Sequence, residues 1–361
     1  MRIVALLIFA AILMVPFSKQ EVTGVDRVYQ EVAAALYPSF DEEKCGAALR
    51  GMLRHAADPR EKERQLAPIE LQQLKDGKCV DQYFQITLPE TAQRTCDEAK
   101  ASSTSRTAFV AEHTVSGILV LRVPTFGWYY TECKDWHVVA QSIAKGAATR
   151  MRNARPQNVI LDLRGNGGGW LDAALYFLNE TSSPRANSLI VTKKDRWGKK
   201  KKLMTSGKGV GCPLAILVDS GTASAAELAA AVIRDWCSTP IFGERTFRKG
   251  IVQTAAPGAP FKLYFTETEY FIGVGEHKIH GIGIEPDVVF KPSAPRAPRT
   301  FKQDFGMSGG KLLWGGWPPP ESQDPLRDLV VQAAKETAHI VDRNVRRESI
   351  KRSVDEALHG R

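Results

Sequence analysis

Residues 218–228 read VDSGTASAAEL, with three hydroxyl side chains, Ser220, Thr222 and Ser224, among small residues. An apolar run precedes the stretch and a helical one follows. A hydroxyl becomes a useful nucleophile when a neighbouring group takes its proton, and no histidine stands near this stretch to do so. Ser224 falls in the first turn of the helix, where free N–H groups and the helix dipole favour negative charge. Ala223, Ala225 and Ala226 leave room there for a substrate. Capping the helix is the ordinary role of a hydroxyl at such a place, and it is open to all three. The stretch is not a G-x-S-x-G elbow.

A proton acceptor stands further along, in GERTFRKGIVQT at 243–254, which presents Lys249 and, one helical or bent-strand step on, Gln253. An exposed lysine, with a pKa of about 10.4, is no base at neutral pH. Burial among apolar groups lowers that value, and Phe247, Ile251 and Val252 are the apolar neighbours. Reaching 7 takes about 4–5 kcal/mol of desolvation, at roughly 1.36 kcal/mol per unit. A glutamine orients the amine without adding a charge that would raise the pKa again. Taken alone, a lysine in a loop is a surface charge.

The third stretch is NVILDLRGNGGGW at 158–170, an apolar strand running into Gly165, Gly167, Gly168 and Gly169. A dinucleotide fingerprint wants G-x-G-x-x-G, but Trp170 occupies the last place, and the Gly-Lys-Ser/Thr of a Walker loop is absent. What remains is a run of bare backbone N–H groups close to a helix N-terminus, which suits an oxyanion. A tight turn accounts for one glycine and poorly for three in a row.

The elements that must position these residues follow from periodicity. Residues 22–58 have apolar spacing of helical period, ended by Pro59, and a charged helix with a Ser/Thr-rich loop fills 60–107. From 108 the pattern changes: strand 117–123, helix 134–153, strand 158–163 with both faces apolar, helix from Trp170, strand 213–219, helix 223–236 and a short strand at PIFGE. Residues 262–290 alternate like paired strands. Alternating strand and helix predicts an α/β core with parallel strands. After a low-complexity stretch, Asp324 as N-cap and Pro325 open a C-terminal helix to about residue 357.

With 361 residues, 43% hydrophobic and 25% charged, the composition is that of a globular protein of up to two domains. The net charge of +9 is concentrated in TKKDRWGKKKKLMTSGK at 192–208, read as a solvated β-hairpin with Trp197-Gly198 near its tip. No nucleic-acid motif accompanies it. Arg2 and the apolar residues 3–17 suit a signal-peptide core or an uncleaved membrane tether, so the expectation is an exported protein, periplasmic or secreted, with residues 1–20 outside the fold. The six cysteines form no C-x-x-C pair and no zinc spacing. Export favours disulfides, and Cys79–Cys96 is the expected pair among 15 connectivities.

Five stretches together resemble the C-terminal processing peptidases, or tail-specific proteases, a family of serine endopeptidases. DLRGNGGG at 162–169 resembles D-L-R-x-N-x-G-G, and GTASAAE at 221–227 resembles G-S-A-S-A-S-E. GERTFRKGIVQ at 243–253 resembles G-x-x-T-F-G-K-G-x-V-Q, HGIGIEPDVV at 280–289 resembles G-K-G-I-x-P-D-V, and GAALRGMLRHAADP at 46–59 resembles the helical segment before the core. The serine-to-lysine spacing, 249 − 224 = 25, is the family's. The resemblance implies a crotonase/ClpP-like spiral core at 108–295 with a mainly helical segment (21–107) before it and a linker and C-terminal helix (296–361) after it. It implies Ser224 as nucleophile, Lys249 as base and Gln253 as its partner. Backbone N–H groups of Gly168 or Gly169 and of Ala225 form the oxyanion hole, with Glu227 and Thr246 in support. Protein or peptide is the substrate, and no metal or organic cofactor is implied. Two departures stand out. Arg248 replaces the glycine before the lysine, and residues 60–107 lack the carboxylate-binding loop and strands of the family's PDZ domain. Two other functions remain open: a catalytically inactive peptide-binding scaffold on the same core, and a crotonase-type acyl-CoA enzyme. The Ser-Lys pair argues against both.

Overall fold

The computed structural model describes residues 24–36, 40–58, 60–87, 111–115, 117–126, 136–256 and 261–289. The readings of residues 1–20 and of a helix beyond Asp324 lie outside them. The elements are α1 (Gly24–Ala35), α2 (Glu42–Ala57), α3 (Glu61–Arg64), α4 (Leu66–Asp76), β1 (Gln85–Thr87), β2 (Ala111–Val115), β3 (Ile118–Arg122), α5 (Trp136–Ala154) and β4 (Val159–Asp162). They continue as α6 (Leu171–Thr181), β5 (Leu189–Asp195), β6 (Lys200–Met204), β7 (Ala215–Val218), α7 (Ala225–Cys237) and β8 (Ile241–Gly243). The last are β9 (Ile251–Ala255), β10 (Lys262–Ile272), β11 (His277–Lys278) and β12 (Val288–Val289). Among the described residues no helix is long and apolar enough to cross a membrane.

The chain forms two compact units, one of residues 1–89 with 254–265, the other of the remainder. Residues 254–265 thus group with the N-terminal helices and not with the rest of 108–295. In the first unit, Val28, Val32, Leu49, Met52 and Leu53 of α1 and α2 pack with Leu71, Leu74, Phe261 and Leu263. The single charged helix expected after Pro59 is two helices. Pro68 has no N–H to give the Arg64 carbonyl, so the first helix stops and a second begins around it. β1, unforeseen in a polar stretch, pairs antiparallel with Lys262–Tyr264. The expected Cys79–Cys96 pairing is overturned, because Cys79 is bonded to Cys45, with Cα atoms 5.6 Å apart. Helix packing of α2 on α4 brings together cysteines 34 residues apart, a closeness that spacing along the chain does not show.

The second unit is α/β. Its main sheet has the order β12-β8-β7-β4-β3-β2, parallel throughout except for the β2–β3 hairpin. β4 and β7 are buried along their whole length, as strands covered on both faces must be. Helices α5, α6 and α7 pack on this sheet through Ala144, Met151, Phe177, Leu178, Ala229 and Ile233. The lysine-rich segment is the β5–β6 hairpin. Residues 262–290 do not pair only with each other. β12 leaves to add in parallel to β8, because the turns through Gly281 and Gly283, both at positive φ, redirect the chain. A second disulfide, Cys212–Cys237, ties the approach to β7 to the end of α7.

Candidate active site

Three loops leave the carboxyl ends of the adjacent parallel strands β4, β7 and β8, the edge at which open α/β sheets gather their functional groups. The first is the glycine loop, the second carries Ser224, and the third carries Lys249. Buried polar side chains stitch them together. Asp219 Oδ1 accepts from the N–H groups of Gly165 (2.8 Å) and Gly221 (3.0 Å). Thr222 Oγ1 donates to the Leu163 carbonyl at 2.9 Å, and the Ala223 N–H donates to the Asn166 carbonyl at 2.9 Å. The Phe247 N–H reaches back to the Thr222 carbonyl at 2.9 Å. Of the three hydroxyls in the serine loop, Ser220 is exposed and Thr222 is consumed in these bonds, while Ser224 opens α7.

Ser224 has φ +55°, unusual for a residue with a side chain. Its backbone is held from two sides. Its N–H donates to Glu227 Oε2 at 2.9 Å, and its carbonyl accepts from the Tyr270 hydroxyl at 2.9 Å. Lys249 is held by the same two residues: its N–H donates to Glu227 Oε2 at 2.8 Å, and its carbonyl lies 2.9 Å from the Tyr270 hydroxyl. The Lys249 side chain is 1% exposed, and its Nζ donates to Gln253 Oε1 at 2.6 Å, across four residues on β9. Glu227 is fully buried and accepts two further bonds, from Thr246 Oγ1 and from the Arg248 N–H at 2.8 Å. Burial pushes the Glu227 carboxyl above its ordinary 4.5, while its four donors pull the other way.

The glycine loop lies directly on this corner. A Cβ on Gly168, which has φ +94°, would sit 2.6 Å from the Ala223 carbonyl oxygen and 2.9 Å from the Ala225 nitrogen. Of the two glycines expected to donate to an oxyanion, Gly168 has its N–H committed to Asn166 Oδ1 at 2.9 Å. The N–H groups of Gly169 and Ala225 donate to no acceptor among the described residues. Arg248 takes φ +82°, a backbone region that favours the glycine it replaces. Among the described residues no group of three or more His, Cys, Asp or Glu is placed to hold a metal ion.

All eight residues singled out from the sequence therefore fall in one corner. Two were missed. Asn166, which matches a fixed place of the glycine-loop motif but had no role assigned, braces the loop with its buried side chain, donating to the Val123 carbonyl at 2.8 Å. Tyr270, an aromatic in an alternating strand, gave no signal beyond that of a core residue.

Residues 117–290 match the family model of peptidase family S41. Over 174 residues the chain is 40% identical to the carboxy-terminal processing protease CtpA of Bacillus subtilis, covering 44% of this chain and 36% of that protein. Over 149 residues it is 34% identical to a probable CtpA-like serine protease of Staphylococcus epidermidis, covering 40% of this chain and 30% of that one. The chain thus spans about a third of the length of these curated relatives. Its fold is similar to that of a photosystem II D1 C-terminal processing protease, with a TM-score of 0.52 at 16% identity, covering 76% of this chain and 94% of that one.

Proposed function

We propose that this chain, whose residues 117–290 belong to the C-terminal processing peptidases of family S41, is an exported serine endopeptidase working through Ser224 and Lys249. The observation that carries this reading is the double clamp on the two residues. Glu227 takes both of their amides and the Tyr270 hydroxyl lies against both of their carbonyls. Nucleophile and base are therefore positioned as one rigid body, as catalysis by proximity requires.

In this mechanism Ser224 Oγ attacks the scissile carbonyl while Lys249 Nζ, as the free amine, takes its proton. An ammonium buried as deeply as this side chain is disfavoured against the amine, and the partner Gln253 orients it without adding charge. The developing oxyanion is received by the Gly169 and Ala225 N–H groups, and each such donor is worth roughly 10²–10³ in rate. Lys249 returns the proton to the leaving amine, and water then hydrolyses the acyl-enzyme. Extended polypeptide is the substrate, which would bind along the sheet edge by main-chain hydrogen bonds.

The test is incubation of the purified protein with an unfolded protein such as casein, with Ser224→Ala alongside. The wild type is expected to cleave it and the variant to lose cleavage by at least a thousandfold. Comparable cleavage by both would remove Ser224 from the chemistry.

A further inference from the structure

The proteolytic reading leaves the β5–β6 hairpin unused, and the hairpin carries a charge arrangement that its own fold does not explain. Between 193 and 202 stand Lys193, Lys194, Arg196, Lys199, Lys200, Lys201 and Lys202 against the single acid Asp195. The register sets Lys193 opposite Lys201 and Lys194 opposite Lys200, so like charges face each other directly across the two strands. Such pairs destabilise a sheet. On the Lys194–Lys200 side the cost is offset in part, because Glu276 pairs with Lys200 at 2.6 Å, whereas Glu269, opposite Lys194 on β10, pairs with Lys278 at 2.8 Å. Lys199, Lys201 and Lys202 are exposed and have no ion pair among the described residues.

The tip is built to a definite shape. Asp195 Oδ1 accepts from the N–H groups of Trp197 (3.0 Å) and Lys199 (2.9 Å), and Gly198 supplies φ +81°. This turn holds the Trp197 indole 69% exposed, with the Arg196 guanidinium 5.3 Å from its ring centroid. Lysines alone would serve to protect the edge strand β6 from pairing with other chains. Edge protection does not call for a large indole held out at the tip. An exposed tryptophan ringed by lysine and arginine is the combination that partitions into the headgroup layer of a bilayer, the indole at the interface and the cations against anionic headgroups.

We infer that the β5–β6 hairpin is a docking element for the surface of an anionic phospholipid bilayer, with Trp197 entering the headgroup region and Lys199, Lys201 and Lys202 contacting the lipid charges. A nucleic-acid duplex shares the charge but would not require the indole at the tip, and a single strand, whose bases would stack on the indole, is the competing occupant that the experiment separates. This inference does not rest on the proteolytic mechanism: Trp197, Lys199, Lys201 and Lys202 lie on the turn and β6, while the clamp residue Tyr270 pairs with Lys193 on β5, which the variants leave unchanged.

The experiment is co-sedimentation of the full-length protein with vesicles of phosphatidylcholine alone and with added phosphatidylglycerol, at low and high salt. The wild type and the variants carry the same apolar residues 3–17, so differences between them report the hairpin. Each lysine near an anionic leaflet contributes roughly a fivefold gain in partitioning. Lys199→Gln/Lys201→Gln/Lys202→Gln should therefore weaken the anionic-lipid-dependent binding by about a hundredfold, and Trp197→Ala should weaken it further. Brominated lipid should quench wild-type fluorescence more than that of Trp197→Phe. Equal binding to neutral and anionic vesicles, or salt-resistant binding unchanged in the triple variant, overturns the inference. So does binding to single-stranded or duplex DNA with none to anionic vesicles. An unchanged circular dichroism spectrum and melting temperature show that the variants are folded, whether or not the protein cleaves casein.

Discussion

The two compact units bury different things. In the first, the buried side chains are hydrophobic, from Val28 and Tyr29 to Leu263 and Phe265. Every buried polar or charged side chain among the described residues lies in the second, and Asp162, Asn166, Asp219, Thr222, Ser224, Glu227, Thr246 and Lys249 surround one corner of it. Buried polar groups are costly unless fully hydrogen-bonded. Their concentration marks where packing has been subordinated to positioning. Substitutions in the first unit should therefore act on stability, and polar substitutions in that corner on activity.

The sharpest break of this contrast is Glu227→Gln. Whichever way the amide is turned, its NH2 faces a backbone N–H, of Ser224 and Lys249 or of Arg248, that has lost its acceptor. Under the proposed mechanism, displacing Ser224 and Lys249 together by about 1 Å should cost on the order of a hundredfold in kcat/KM, with about 1–3 kcal/mol of stability. The pH dependence separates the two effects. Burial raises the Glu227 pKa above 4.5, so on acidification the carboxyl takes up a proton and loses acceptor capacity, which adds a second acid limb to the loss of activity below the one set by protonation of Lys249. The global linkage has the opposite sign. A carboxyl whose folded pKa is raised contributes stability that is fully present below its unfolded value and is lost as pH rises through the folded one. Acid should thus remove activity while this group's own contribution to the melting temperature rises. Parallel loss of both would contradict the positioning role.

The counterpart in the first unit is Cys45→Ser with Cys79→Ser. Opening a bridge that spans 34 residues should cost about 3–4 kcal/mol in chemical denaturation. Activity per folded molecule should stay at the wild-type level, because no site residue lies in that unit. A fall in kcat/KM at full folding would blur the division between the units.

The smallest effect is expected of Arg248→Gly. Relief of an arginine at φ +82° gains about 1–2 kcal/mol and the glycine's backbone entropy returns about 0.5–1, for a net gain of about 0.5 kcal/mol. A loss of stability would mean that the arginine side chain makes a contact worth more than the strain.

Legibility in the sequence followed the same contrast. Strands β4 and β7 are continuous apolar runs alternating with helices, so the α/β core could be read, whereas Ser224 stood out from Ser220 and Thr222 only through the family resemblance. Lys249 and Gln253 sit on one short segment, but a lysine in a loop taken alone is a surface charge, so their pairing was legible only through the family resemblance of GERTFRKGIVQ. Tyr270 was not, since its link to Ser224 spans 46 residues and an aromatic in a strand reads as core. Asn166 matches a fixed place of the glycine-loop motif, but its contact with the Val123 carbonyl spans 43 residues and leaves no local pattern. The Cys45–Cys79 bridge depends on how α2 packs against α4, and β1 depends on a partner strand about 180 residues downstream. Neither relation leaves a local pattern.

The central claim, that Lys249 serves as the base for Ser224, is tested most directly by the pH–rate profile of casein cleavage for the wild type and Lys249→Arg. A neutral amine acting as base predicts that wild-type kcat/KM rises with pH through an apparent pKa well below the ordinary lysine value of about 10.4. It also predicts no activity in the arginine variant at any pH, because a guanidinium stays protonated. Substantial cleavage by Lys249→Arg would contradict the account.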